Sequence, residues 1–124
     1  MAESPPVLLD VSSLSAALER FAQERDWTQF HSPKNLVMAL AGEVGELTAV
    51  FQWMSESESS GAAQRAETAQ EVREELADVM LYLVRLASVL QVDLNDAVGQ
   101  KLASNALRYP IDKARGSSKK YDRI

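Results

Sequence analysis

Apolar and polar positions in this chain recur at the period of a helix, and four segments carry the pattern. Leu14, Leu18 and Phe21 fall on one stripe of a segment over residues 12–26, with Val11, Ala17 and Ala22 beside it. A loop, WTQFHSPKN, follows. There Pro33 pushes Ser32 out of helical geometry, and Asn35 is placed to cap what comes next. Leu36, Leu40, Leu47, Val50, Phe51 and Met54 predict a second helix over residues 35–54. The run SESESSGAAQ reads as a low-complexity polar linker with Gly61 as its flexible point. A third and longest helix is expected over residues 66–90, with a stripe of Val72, Leu76, Val79, Leu83, Leu86 and Leu90. Asp93 is a candidate N-cap, with Asp96 in a capping-box-like place, for a fourth helix ending near Arg108 and closed by Pro110. With no strand pattern and no internal repeat, the expected fold class is all-α, an antiparallel four-helix bundle. One domain is expected over residues 1–124, with an N-terminal arm at 1–11 and a basic tail at 111–124.

The second helix interrupts its own apolar run. In LVMALAGEVGEL, Glu43 shares a face with Leu36, Leu40 and Leu47, while Glu46 lies at the edge of that face, near Val50 and Trp53. A lone carboxylate in such a stripe would be an uncompensated charge costing several kcal/mol. Gly42 and Gly45 flank the pair and remove bulk, although each weakens the helix by about 1 kcal/mol. The third helix repeats the arrangement. In EELADVMLYL, Glu75 sits on the flank of the stripe, Asp78 is one turn on, and Tyr82 neighbours both. Face to face, the two helices would bring four carboxylates together. Hard oxygen ligands at that density suit Mg²⁺, or Mn²⁺ in its place. The opposing reading is that both pairs are ordinary solvated faces, as Glu67, Glu71 and Glu74 are expected to be. A di-iron carboxylate bundle would need a Glu-x-x-His from each of two helices. Neither Glu43 nor Glu75 has a histidine at that offset.

Composition narrows the field. The chain has 124 residues, so a single core buries a modest fraction of its surface and assembly would add stability. Without cysteine it has no disulfides, thiolate metal sites or thiol catalysis, and with a single histidine, His31, it has no multi-histidine centre. A net charge of −5 argues against a nucleic-acid polymer as partner. No stretch reads as a signal peptide or membrane anchor, so no membrane partner and a cytoplasmic setting are expected. The tail DKARGSSKKYDRI concentrates positive charge, either as a solubilising terminus or as a phosphate-binding arm.

EVGEL followed by EELADVMLYL resembles the ExxE…ExxD signature of the MazG-like, all-α nucleoside triphosphate pyrophosphatases. FAQERDWTQFHSPKNLVMALAGEVGELTAVFQW, SNALRYP and RGSSKKY resemble the dCTP pyrophosphatase branch of that superfamily, over residues 18–121. The resemblance implies a tetrameric helical bundle, with a dimer as the alternative, that cleaves between the α- and β-phosphates to give a monophosphate and pyrophosphate. It implies Glu43, Glu46, Glu75 and Asp78 as catalytic Mg²⁺ ligands. By its position at the edge of the stripe, Glu46 is the candidate to orient or deprotonate the attacking water. Trp27, His31 and Trp53 would line a base and sugar pocket. Asn105 and Lys120 would face sugar and triphosphate, joined by Lys101, Arg108 and Arg115. Tyr82 either supports the carboxylates or packs, and Tyr109 is expected to pack. Many family members carry a further glutamate one turn after the ExxE pair, where this chain has Ala49. Each aromatic also has a plain structural role open to it as a core or interface residue. Three functions follow: a house-cleaning pyrophosphatase acting on dCTP or modified dCTP, the same chemistry on another nucleotide such as dUTP, and a non-catalytic helical module holding a structural cation.

Overall fold

The structure, a computed structural model, describes residues 6–124, and among these it contains helices and no strand. They fall into two compact units, one over Val11–Val92 and one joining residues 6–10 to Asp93–Ile124. No helix among the described residues is long and apolar enough to cross a membrane.

The first unit contains α1 (Ser12–Glu24), α2 (Pro33–Phe51), α3 (Glu56–Ser60) and α4 (Ala69–Leu90). α2 packs along α4, and α1 against α4. Leu36 and Val84 are the largest fully buried side chains, joined in the core by Ala22, Ala62, Val72 and Ala87. α1 ends at Glu24, two residues before the expected boundary, because Asp26 turns into the left-handed region at φ 55°. That turn sends the Trp27 amide back to the Ala22 carbonyl at 2.8 Å, a helix-closing bond that seats Trp27 beside α1. α4 closes in the same way, with Gln91 left-handed at φ 58° and the Val92 amide on the Ala87 carbonyl.

Three local expectations are corrected. The N-cap of α2 is Ser32, whose hydroxyl accepts from the Asn35 amide, so the helix starts at Pro33. Asn35 instead donates its side chain to the Phe30 carbonyl at 3.0 Å. The polar linker is structured: Ser55 and Glu58 form a reciprocal capping box that starts α3. Arg65 then donates to the Glu58 carbonyl and Thr68 to the Ala62 carbonyl, which fixes the segment around Gly61 and delays α4 to Ala69. Finally, the α4 stripe is only partly covered. Val72 is buried, but Leu76 and Leu90 remain half exposed.

The second unit holds α5 (Leu94–Arg108), α6 (Ile111–Ala114) and a 3-10 turn at Tyr121–Arg123. Asp93 caps α5 by accepting from the Asp96 amide, as expected, while the Asp96 carboxylate accepts from Gln100 rather than reaching back. Asn95 binds the N-terminal arm, its side-chain carbonyl accepting from the amides of both Leu8 and Leu9. The tail folds over itself: Arg108 lies 4.9 Å from the Tyr121 ring, and Tyr109 meets Tyr121 edge to face.

Candidate metal centre and adjoining cavity

Packing of α2 on α4 brings Glu43, Glu75 and Asp78 together, with one carboxylate oxygen from each inside a 4.8 Å group. Glu43 Oε2 and Glu75 Oε2 are buried with no hydrogen-bond partner. Buried acceptors without partners are costly, and like charges so close are more so. The strain shows in Glu75, whose carboxyl is pushed up to about 7 from an ordinary 4.5. Its contact with Glu43 is the main cause, followed by burial and by the neighbouring Glu46. Glu46 itself is exposed and lies outside the tight group. A proton can relieve this arrangement, and so can a divalent cation. Three convergent carboxylates offering unused oxygens match the donor set that a hard cation takes.

The glycines beside these carboxylates face open space. A Cβ built at Gly42 or Gly45 would meet nothing within 4 Å. Crowding within the chain therefore does not demand them.

One helical face continues from the cluster into a cavity. Asp78, Tyr82 and Arg85 follow Glu75 at spacings of three and four, so α4 presents them in succession over about 15 Å. Asp78 belongs to the cluster and also to the wall of a cavity of about 160 Å³. Leu18, Phe21, Trp27 and Leu81 make its apolar side, and His31, Tyr82 and Arg85 complete it. Trp27 meets Phe21 edge to face, their ring centres 5.6 Å apart, and is 44% exposed, so one side of the indole stays open. An aromatic wall with a few polar groups beside a carboxylate cluster suits a flat heteroaromatic ring attached to an anionic group.

Neither Arg85 nor Glu19 stands out in the sequence as a site residue. Arg85 is 5% exposed, pairs with the Glu19 carboxylate through Nη1, and donates from Nε to His31 Nδ1 at 3.0 Å. A signal was present: an arginine in LYLVRLAS, an otherwise apolar turn, needs a buried partner. Finding that partner from sequence would have required the α1–α4 packing.

Among the expected substrate residues, Trp27, His31 and Tyr82 line the cavity. Trp53 is 88% exposed at the end of α2 and takes no part in that wall. Lys101, Asn105, Arg108, Arg115 and Lys120 all belong to the second unit. There Asn105 is half-buried, Arg108 covers Tyr121, and Lys101, Arg115 and Lys120 are exposed.

Fold and site together define an all-α protein with a carboxylate centre built between two helices and an aromatic cavity sharing one of its residues. Residues 39–124 match the model of the MazG-like family, and the chain belongs to that family. It is 48% identical over 116 residues to dCTP pyrophosphatase 1 of Rattus norvegicus, covering 94% of this chain. It is 46% identical over 119 residues to dCTP pyrophosphatase 1 of Homo sapiens, covering 96% of this chain. The chain spans 66% of the rat relative's length and 68% of the human one's. Among solved structures, a pyrophosphatase from Archaeoglobus fulgidus superposes with a TM-score of 0.75 at 34% identity, covering 87% of this chain and 99% of that one.

Proposed function

We propose that the chain is a nucleoside triphosphate pyrophosphatase that converts dCTP or a modified dCTP to the monophosphate and pyrophosphate. The observation that carries the reading is the pair of orphaned oxygens, on Glu43 and Glu75, beside an aromatic cavity that shares Asp78. The names of its relatives support the substrate. Glu43, Glu75 and Asp78 would hold Mg²⁺, with Mn²⁺ as a substitute, and Glu46 beside them. When bound, the cation neutralises triphosphate charge and acidifies a coordinated water.

The chain's own residues account for the rest. Trp27 offers a face for the base, and Asp78 joins the carboxylate centre to the wall of that cavity. Glu46, exposed and outside the tight group, keeps a carboxylate oxygen free to orient the attacking water or take its proton. Asn105 and Lys120 are assigned to the sugar and phosphates by their motifs, with Lys101, Arg108 and Arg115 as further cationic partners. Assembly, as a tetramer, belongs to the same proposal. Its support is the apolar surface a single chain leaves open, including Met38 at 65% and Leu107 at 84% exposed.

The test is pyrophosphate release from a panel of canonical and 5-modified deoxynucleoside and ribonucleoside triphosphates, with and without Mg²⁺. Release from dCTP-type substrates that needs both Mg²⁺ and Glu43 is expected. Silence across the panel from folded protein would sink the proposal and leave a helical module holding a structural cation. Near-normal turnover by Glu46→Gln at saturating Mg²⁺ would remove Glu46 as the base.

A further inference from the structure

The least expected group in the first unit is a guanidinium in the core. Arg85 is always charged and only donates, so its place beside His31 fixes what the imidazole must be. Nε of Arg85 donates to Nδ1 of His31 at 3.0 Å, which requires a lone pair on Nδ1. The ring proton then sits on Nε2, the other nitrogen of a ring that lines the cavity. A doubly protonated ring would set an N–H against an N–H beside a cation. The shift of the ring agrees: burial, then the Arg85 charge, hold it below the ordinary histidine range, against an opposing pull from Glu19.

Arg85 is itself held. Glu19 Oε2 accepts from Nη1, and Glu19 Oε1 accepts from Gln23 Nε2 at 3.0 Å on the same helix. A relay therefore runs from Gln23 and Glu19 on α1, through Arg85 on α4, to His31 in the loop before α2. If only charge balance were at stake, Arg85 could satisfy Glu19 alone. Its Nε instead makes the contact that selects one of the two neutral forms of the ring.

We propose that Arg85, held by Glu19, is a positioning residue that locks His31 as a hydrogen-bond donor through Nε2. The cavity thereby favours a nucleotide whose base or sugar offers an acceptor there, such as a pyrimidine carbonyl. The substrate half of this rests on the pyrophosphatase reading; the histidine half does not.

His31 is the only histidine of the chain, so its ring gives one unambiguous signal. The ¹⁵N-labelled full chain is examined by long-range ¹H–¹⁵N correlation between pH 6 and 8, alongside Arg85→Met, Arg85→Lys and Glu19→Gln. Steady-state kinetics on dCTP with Mg²⁺ are measured for the same proteins, with Glu43→Gln as the inactive control. The neutral wild-type ring is expected to carry its proton on Nε2 throughout. In Arg85→Met it should exchange between both neutral forms and titrate higher than in the wild type, with burial still holding it below the ordinary histidine range. KM for dCTP should then rise about tenfold with kcat within about twofold, because the donor form is only partly populated and the ring is no longer held in place. Arg85→Lys should recover part of the loss. Glu19→Gln, which keeps the arginine and guards against a misfolded Arg85 variant, should raise KM about threefold. A wild-type ring protonated on Nδ1, or cationic at pH 7, overturns the proposal. So do folded Arg85 variants with unchanged ring signals and unchanged KM. If wild-type protein hydrolyses no nucleotide, the pyrophosphatase reading fails, while the ring spectrum still decides the role of Arg85.

Discussion

Replacing Glu43 with glutamine should separate the two costs that meet at the carboxylate centre. The amide keeps the size of the side chain and supplies an N–H where Glu75 Oε2 now has no partner. Metal-free Glu43→Gln should therefore melt no lower than wild type, although a buried position has been changed. The response to metal should move the other way. A ligand at about 100 times its Kd stabilises the folded state by roughly 2.7 kcal/mol. Unfolding a chain of 124 residues carries an entropy of about 0.26 kcal/mol/K, so saturating Mg²⁺ should raise the wild-type Tm by roughly 10 °C. With one of three convergent carboxylates neutral, that rise should shrink to below about 3 °C. The assay is thermal melting by circular dichroism at pH 8, after chelation and then across an Mg²⁺ titration, with protein concentration fixed because assembly would also move Tm. A full wild-type Mg²⁺ response in the variant would refute the reasoning. So would a metal-free variant melting well below wild type, since the carboxylate would then be supporting the fold.

Between pH 4.5 and about 7 the folded Glu75 keeps a proton that the unfolded chain has lost, so metal-free stability should decline as pH rises through that window and level off above it. Mg²⁺ affinity should run the opposite way, weakening by up to about tenfold per pH unit below 7, and calorimetry showing equal affinity at pH 6 and pH 8 would contradict this. Leu36→Ala should cost about 2–4 kcal/mol in urea unfolding, because Leu36 is a core residue of α2, 2% exposed; a loss under about 1 kcal/mol would mean its surroundings collapse to fill the space. Asn95→Ala should cost about 1 kcal/mol and speed limited proteolysis within residues 6–10, since the amides of Leu8 and Leu9 lose their shared acceptor; unchanged cleavage would show that other contacts hold the arm.

The carboxylate centre was legible because its information is local. Glu43 sits inside an apolar stripe, Glu75 and Asp78 repeat a one-turn spacing, and two amphipathic helices in a small domain have few ways to pack. Glu46, expected from the edge of its stripe as a fourth converging carboxylate, stands exposed and outside the tight group. The misplaced boundaries have a common cause. Ser32 and Asn35 both satisfy the composition of an N-cap, and only backbone geometry separates them. The Ser55–Glu58 box was hidden in a stretch whose composition reads as a polar linker, although its spacing met the rule for a helix start. Arg85 lay beyond reach for another reason: its partner Glu19 is 66 positions away on a helix whose packing no local pattern specifies. Half-exposed Leu76 and Leu90 look like core in the sequence, because a face that a chain leaves open and a face that it buries carry the same residues.

Asp78 stands in two neighbourhoods at once, the acidic group and the cavity wall. The wall is thereby divided into positions with unequal freedom to drift. Leu18 and Leu81 could be exchanged over generations to reshape the pocket for a different ring, and the carboxylates would not register it. Any change at Asp78 alters both neighbourhoods together. New selectivity in a descendant of this chain should therefore accumulate at the apolar positions, around an aspartate that stays where it is.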